Sequence, residues 1–180
     1  VSVETHSDGH VWGATSNGVV RFSLSPTDEP PTSIGSRGLD VRDLYSDPRG
    51  TLWVGTTDGL WRVDEGSLSR VTSPEHLPGT VMTIAPHAEA ELWLIDGDCL
   101  CPRDGTHATP LVLPELPASG ARVTTARPDR EGRVWIAFTG GRLGSLERNG
   151  AFRILGAADG LTPHAHETSS AICEDAAGAI

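Results

Sequence analysis

Hydrophobic and polar positions alternate along this chain in short bursts, and no helical period is sustained. The clearest stretch runs over residues 41–71. Residues 41–45 (V-R-D-L-Y) alternate as a half-buried strand does. Asp47-Pro48-Arg49-Gly50 is a turn, with Pro setting φ early and Gly allowing positive φ late. Residues 51–56 (T-L-W-V-G-T) predict a second strand whose near-continuous apolar run implies cover on both faces. Asp58-Gly59 is a hairpin signal, residues 60–63 a third strand, Glu65-Gly66 another turn, and residues 68–71 a fourth strand. A link over residues 72–80 carries Pro74 and Pro78.

The same order recurs. Trp12, Trp53, Trp93 and Trp135 are spaced 41, 40 and 42 residues apart, three of them behind a glycine, one further residue and an aliphatic, with an acidic residue one to three positions before the glycine. The third copy, A-E-A-E-L-W, has Ala90 where the glycine belongs, and a fifth frame, D-A-A-G-A-I, closes the sequence. Self-similarity at this period means one supersecondary unit per repeat. Four up-and-down strands per unit describe a blade of a β-propeller. The expected fold class is therefore all-β: antiparallel four-stranded blades over residues 1–40, 41–80, 81–122 and 123–167, with a partial fifth at 168–180, read as a segment of a larger propeller. In that reading the four tryptophans form the core between blades. The fourth strand is expected at 23–25 in the first repeat and at 109–113 in the third, and a fifth repeat is expected to start at 168–173.

Composition agrees with many short strands and tight turns: 21 Gly and 13 Pro in 180 residues. The net charge is −10 and all 14 basic residues are Arg, so the chain offers no basic patch for nucleic acid or anionic lipid. Cys99, Cys101 and Cys173 are an odd count. Residues two apart in a strand are poorly placed for a disulfide, and the three read as small buried apolar residues. There is no Ser-His-Asp spacing, nucleophile elbow or phosphate-binding loop, and no catalytic residue, metal site or cofactor is expected.

Residues 47–62, D-P-R-G-T-L-W-V-G-T-T-D-G-L-W-R, resemble the two-component regulator propeller repeat almost position for position, and residues 6–21 follow with small changes. The Gly-Leu pairs at Gly38-Leu39 and Gly160-Leu161 fit the same frame. The resemblance implies the periplasmic propeller of a bacterial membrane-anchored sensor, usually of about seven blades. It also implies a downstream output, commonly a histidine kinase or a diguanylate cyclase, in a homodimeric parent. An oligosaccharide or other small ligand is an implied partner, along with the remaining blades and signalling domains. A protein-interaction scaffold and a propeller lyase or hydrolase are the alternative readings.

If the first strand is innermost, the links between repeats and the second-to-third hairpins share one end, where binding residues concentrate. Asp40, Arg42, Arg122, His164, His166 and Glu167 are the polar groups expected to reach a ligand there. His164 and His166 share one side of an extended segment, but no third metal ligand accompanies them. Trp61 stands on a third strand beside the counterparts Val20, Cys101 and Leu143, apolar company that favours packing over stacking on a sugar ring.

Overall fold

The computed structural model describes residues 2–24, 30–35, 38–72, 79–87, 92–96, 99–104, 107–108, 122–131, 133–147, 151–155 and 157–159. Among them every strand belongs to one of four antiparallel four-stranded sheets, each in simple meander order. The first sheet is β1 (Val3–Thr5), β2 (His10–Thr15), β3 (Gly18–Ser23) and β4 (Thr32–Ile34). The second is β5 (Val41–Ser46), β6 (Leu52–Thr56), β7 (Gly59–Asp64) and β8 (Ser67–Arg70). The third is β9 (Thr83–Pro86), β10 (Leu92–Asp96), β11 (Cys99–Asp104) and β12 (His107–Ala108). The fourth is β13 (Val123–Pro128), β14 (Val134–Phe138), β15 (Arg142–Leu146) and β16 (Phe152–Leu155), followed by a 3₁₀ turn at Ala157–Asp159. These are β-propeller blades, and the fold class is all-β as the periodicity predicts.

The chain divides into two compact units, Val1–Ile84 and Ala85–Ile180. In the first, Trp12, Ala14 and Val19 of one sheet share a core with Val41, Leu44, Leu52 and Val54 of the next. All of β6 is buried, which explains its near-continuous apolar run. Side chains tie the first strands of successive repeats: the Ser2 hydroxyl donates to Asp43 Oδ1 (2.7 Å), and Asp43 Oδ2 accepts from the Ile84 N–H (2.9 Å). Gly55 permits a close crossing, since a Cβ there would lie 2.8 Å from the Val81 carbonyl oxygen. In the second unit, Trp93, Ile95 and Leu100 pack with Val123, Val134, Ile136 and Phe138.

Several expectations are corrected. The fourth strand of the first repeat is β4 at Thr32–Ile34, behind Pro30-Pro31; of the stretch 23–25 expected to form it, Ser23 ends β3 and residue 25 lies outside the described residues. In the third repeat the fourth strand is the two-residue β12, while the predicted stretch 109–113 lies outside the described residues, as does the partial fifth repeat. The counterpart of Trp61 in the fourth sheet is Gly144: Val54 pairs with Trp61 and Ile136 with Gly144, because the Phe138–Arg142 hairpin is longer than its counterparts. Cys101 is fully buried, as expected, but it is disulfide-bonded rather than simply a small apolar residue.

Candidate functional site

Asp47 shows how the recurring frame builds its turn. Its Oδ1 accepts from the N–H groups of Arg49 (2.9 Å) and Thr51 (2.8 Å), and its Oδ2 accepts from the Trp53 indole (2.9 Å). Asp129 repeats this on Glu131, Arg133 and the Trp135 indole, and adds the Arg133 guanidinium at 2.7 Å. Burial alone would push the Asp129 carboxyl up, but hydrogen bonds from Trp135 and Arg133 and the Arg133 charge outweigh it and hold the group below its ordinary value. One acidic side chain thus satisfies the turn and orients the ring that fills the core.

In the other two repeats the position six residues before the tryptophan holds His6 and His87. The Trp12 and Trp93 indole N–H groups are buried and find no acceptor among the described residues. His6 meets Trp12 edge-on with ring centres 6.5 Å apart, and His87 lies tilted against Trp93 at 4.5 Å. His6 Nδ1 shares a hydrogen bond of 2.6 Å with the Ser46 hydroxyl, linking the first sheet to the second. The alternation of Asp and His at this position is visible in the sequence once the frame is extended three residues upstream of its glycine.

The end of the second sheet carries two of the expected ligand residues. The β5–β6 register skips Arg42, which therefore forms a β-bulge between Val41 and Asp43. The bulge turns Arg42 into solvent, where its guanidinium donates to Asp40 Oδ2 at 2.6 Å. The Thr57 N–H donates to the Asp40 carbonyl, so the hairpin with Asp58 sits beside this pair, and Arg70 reaches Asp58 at 3.1 Å. Two exposed Asp–Arg pairs thus occupy one sheet end. The second unit has the same device: its β13–β14 register skips Thr124, next to an exposed Arg122 whose N–H donates to the Thr139 hydroxyl (3.0 Å). Asp40 and Arg42 are brought together, while Arg122 stands on the second unit. His164, His166 and Glu167 lie outside the described residues.

Of the four frame tryptophans, Trp12, Trp53 and Trp93 are buried and Trp135 is half-buried. Trp61 is half-buried against the first unit's core and also walls a groove of about 470 Å³. Ile34, Leu39 and Leu68 supply the apolar lining, and Thr32, Ser33 and Ser67 the hydroxyls. The Trp61 indole N–H has no acceptor among the described residues. Among the described residues no group of three His, Cys, Asp or Glu side chains converges as metal ligands would.

Four-stranded blades in meander order, with an acidic turn locking a core tryptophan in the second and fourth, define the β-propeller class of fold. Residues 35–58 match the two component regulator propeller, which bears out the resemblance read from the sequence. No curated protein matches the chain in sequence. The extracellular domain of BT4673 from B. thetaiotaomicron, described as a one component system, superposes with a TM-score of 0.77 at 17% identity, covering 98% of this chain and 27% of that one. A second structure of that extracellular domain, described as a hybrid two component system, gives 0.67 at 18% identity, covering 88% of this chain and 25% of that one. Virginiamycin B lyase from Staphylococcus aureus also gives 0.67, at 14% identity, covering 85% of this chain and 54% of that one. At such identities the likeness is one of fold. The chain spans about a quarter of the length of the first two.

Proposed function

We propose that this chain is a non-catalytic, ligand-sensing propeller segment of a bacterial two-component signalling protein, held on the periplasmic or extracellular side of the inner membrane. The observation that carries the reading is the two component regulator propeller match at residues 35–58, on a chain built of four propeller blades. Two further observations support it. The structural neighbours include extracellular domains of such systems. The disulfide at Cys101 suits an oxidising compartment.

Ligand binds the sheet end that carries the Asp40–Arg42 pair. The exposed guanidinium and carboxylates offer paired donors and acceptors to a hydroxylated ligand such as an oligosaccharide. Binding shifts the population between two arrangements of the propeller and its downstream domains, and so biases a dimeric output. The test is titration of the full chain with a panel of neutral and acidic oligosaccharides, read by tryptophan fluorescence. Saturable binding that Arg42→Ala weakens about tenfold, or about 1.4 kcal/mol, supports the reading. Binding that is saturable yet indifferent to Arg42→Ala moves the site elsewhere, and the absence of saturable binding across the panel removes the carbohydrate assignment. The fold likeness to virginiamycin B lyase keeps an enzymatic reading as the second one. Turnover of any panel member would favour it.

A further inference from the structure

Cover between the first and second sheets thins toward their outer strands. β6 is wholly buried, whereas β4 and β8 hold no buried residue. Side-chain alternation sets what faces the gap. Leu52 and Val54 lie against the first sheet, and their pairings put Trp61, Val63 and Leu68 on that same side. On the opposite wall Ile34 pairs with Val19 and Thr32 with Arg21, which turns Ile34 and Thr32 toward the second sheet. The groove of about 470 Å³ lies between these walls, with buried Leu39 in its lining.

Blade packing does not call for an indole at this place. The same register position holds Val20 in the first sheet, Cys101 in the third and Gly144 in the fourth. Trp61 is only half-buried, and its indole N–H is left without an acceptor among the described residues. The two guanidinium groups nearest in the pairing are turned elsewhere. Arg70, opposite Trp61, reaches Asp58 at 3.1 Å, and Arg21, opposite Thr32, lies over the Trp12 ring at 6.0 Å. None of the described lining residues carries a charge. What remains is an aromatic and aliphatic wall flanked by the exposed hydroxyls of Thr32 and Ser67. The Ser67 hydroxyl donates to the Asp64 carbonyl (2.9 Å), so its oxygen is left to accept.

We propose that this groove binds one neutral hexopyranose ring, with the apolar C–H face of the sugar on Trp61 and its hydroxyls on Thr32 and Ser67. An indole suits such a ligand because it offers a large flat apolar surface. The volume falls within the range of small-molecule sites, about 300–1,000 Å³. An uncharged lining selects a neutral sugar, since a uronate would leave water without meeting a cation. The groove lies on the flank between two blades, and it stands or falls separately from the ligand reading at the Asp40–Arg42 sheet end.

The test is a titration of the full chain with methyl β-glucopyranoside and methyl β-galactopyranoside, with glucuronate as the charged control, followed through the indole N–H signals in NMR. The chain has five tryptophans, and Trp61→Val, which installs the residue of the first repeat, assigns the signal of interest. That signal should move saturably with at least one of the two glycosides, and glucuronate should bind at least tenfold more weakly. Saturation transfer to the sugar then reads binding in variants, on an Arg42→Ala background that silences the sheet end. Trp61→Val should weaken it at least tenfold. Thr32→Trp, at an exposed position facing the gap, fills the groove without touching the core and should do the same if Trp61→Val fails to fold. A Trp61 signal that neither glycoside moves, one that stops moving in Arg42→Ala, binding that survives a folded groove variant, or glucuronate binding as tightly as the glycosides would overturn the proposal.

Discussion

Asp47 and His6 occupy one frame position and do different work. Asp47 satisfies two turn N–H groups and the Trp53 indole. Removing it takes the acceptor from the buried Trp53 indole bond and from two part-buried turn N–H groups, so Asp47→Ala should cost about 3 kcal/mol in urea unfolding. At His6 the deficit already exists, because the Trp12 indole lacks an acceptor among the described residues. His6→Asp should supply one and raise stability by about 1 kcal/mol, read as a higher melting temperature. A fall instead would mean that the His6–Ser46 bond contributes more than the indole bond can. The Asp129 carboxyl is held below its ordinary value in the folded chain. Its stabilisation is therefore complete above the unfolded value near 3.8 and is lost as pH falls through the lower folded value. Asp129→Asn should flatten the acid limb of the stability–pH curve below about pH 4 while changing its slope little near neutrality.

Strands were legible wherever local pattern decides them. Residues 41–70 read as four strands because alternation, Asp-Gly and Glu-Gly turns all agree there. The positions of β4 and β12 were not legible, since a three-residue edge strand behind two prolines and a two-residue one carry no period. Their existence depends on pairing with β3 and β11, which no local window contains. The candidate site was half legible for a related reason. Asp40 and Arg42 could be picked as polar groups at a strand start, but the bulge that aims Arg42 outward exists only in the register against β6. The Trp61 groove needs two sheets and was beyond the sequence for the same reason. At this scale Gly55→Ala is a sharp test. Its Cβ would stand 2.8 Å from the Val81 carbonyl oxygen, and the strand must shift to admit it, costing about 1–3 kcal/mol in denaturant midpoint experiments.

For the molecule as a whole, repetition means that stability is shared between blades and the contacts that join them. The two kinds of contact differ in chemistry. Apolar packing under Trp12 is broad and tolerant, whereas the Ser2–Asp43–Ile84 tie is polar, narrow and carried by side chains. Asp43→Ala should therefore leave each sheet folded yet lower the cooperativity of unfolding, seen as a reduced denaturant slope at a modestly lower midpoint. The blade architecture fixes the fold class, and residues 35–58 match the two component regulator propeller.

The tie through Asp43 also has a mechanical meaning. A main-chain ladder is much the same in every protein, but a clasp made of one carboxylate can be loosened or tightened by changing a single codon. Selection can thereby adjust how stiffly one blade leans on the next without touching the hydrogen bonds that define either.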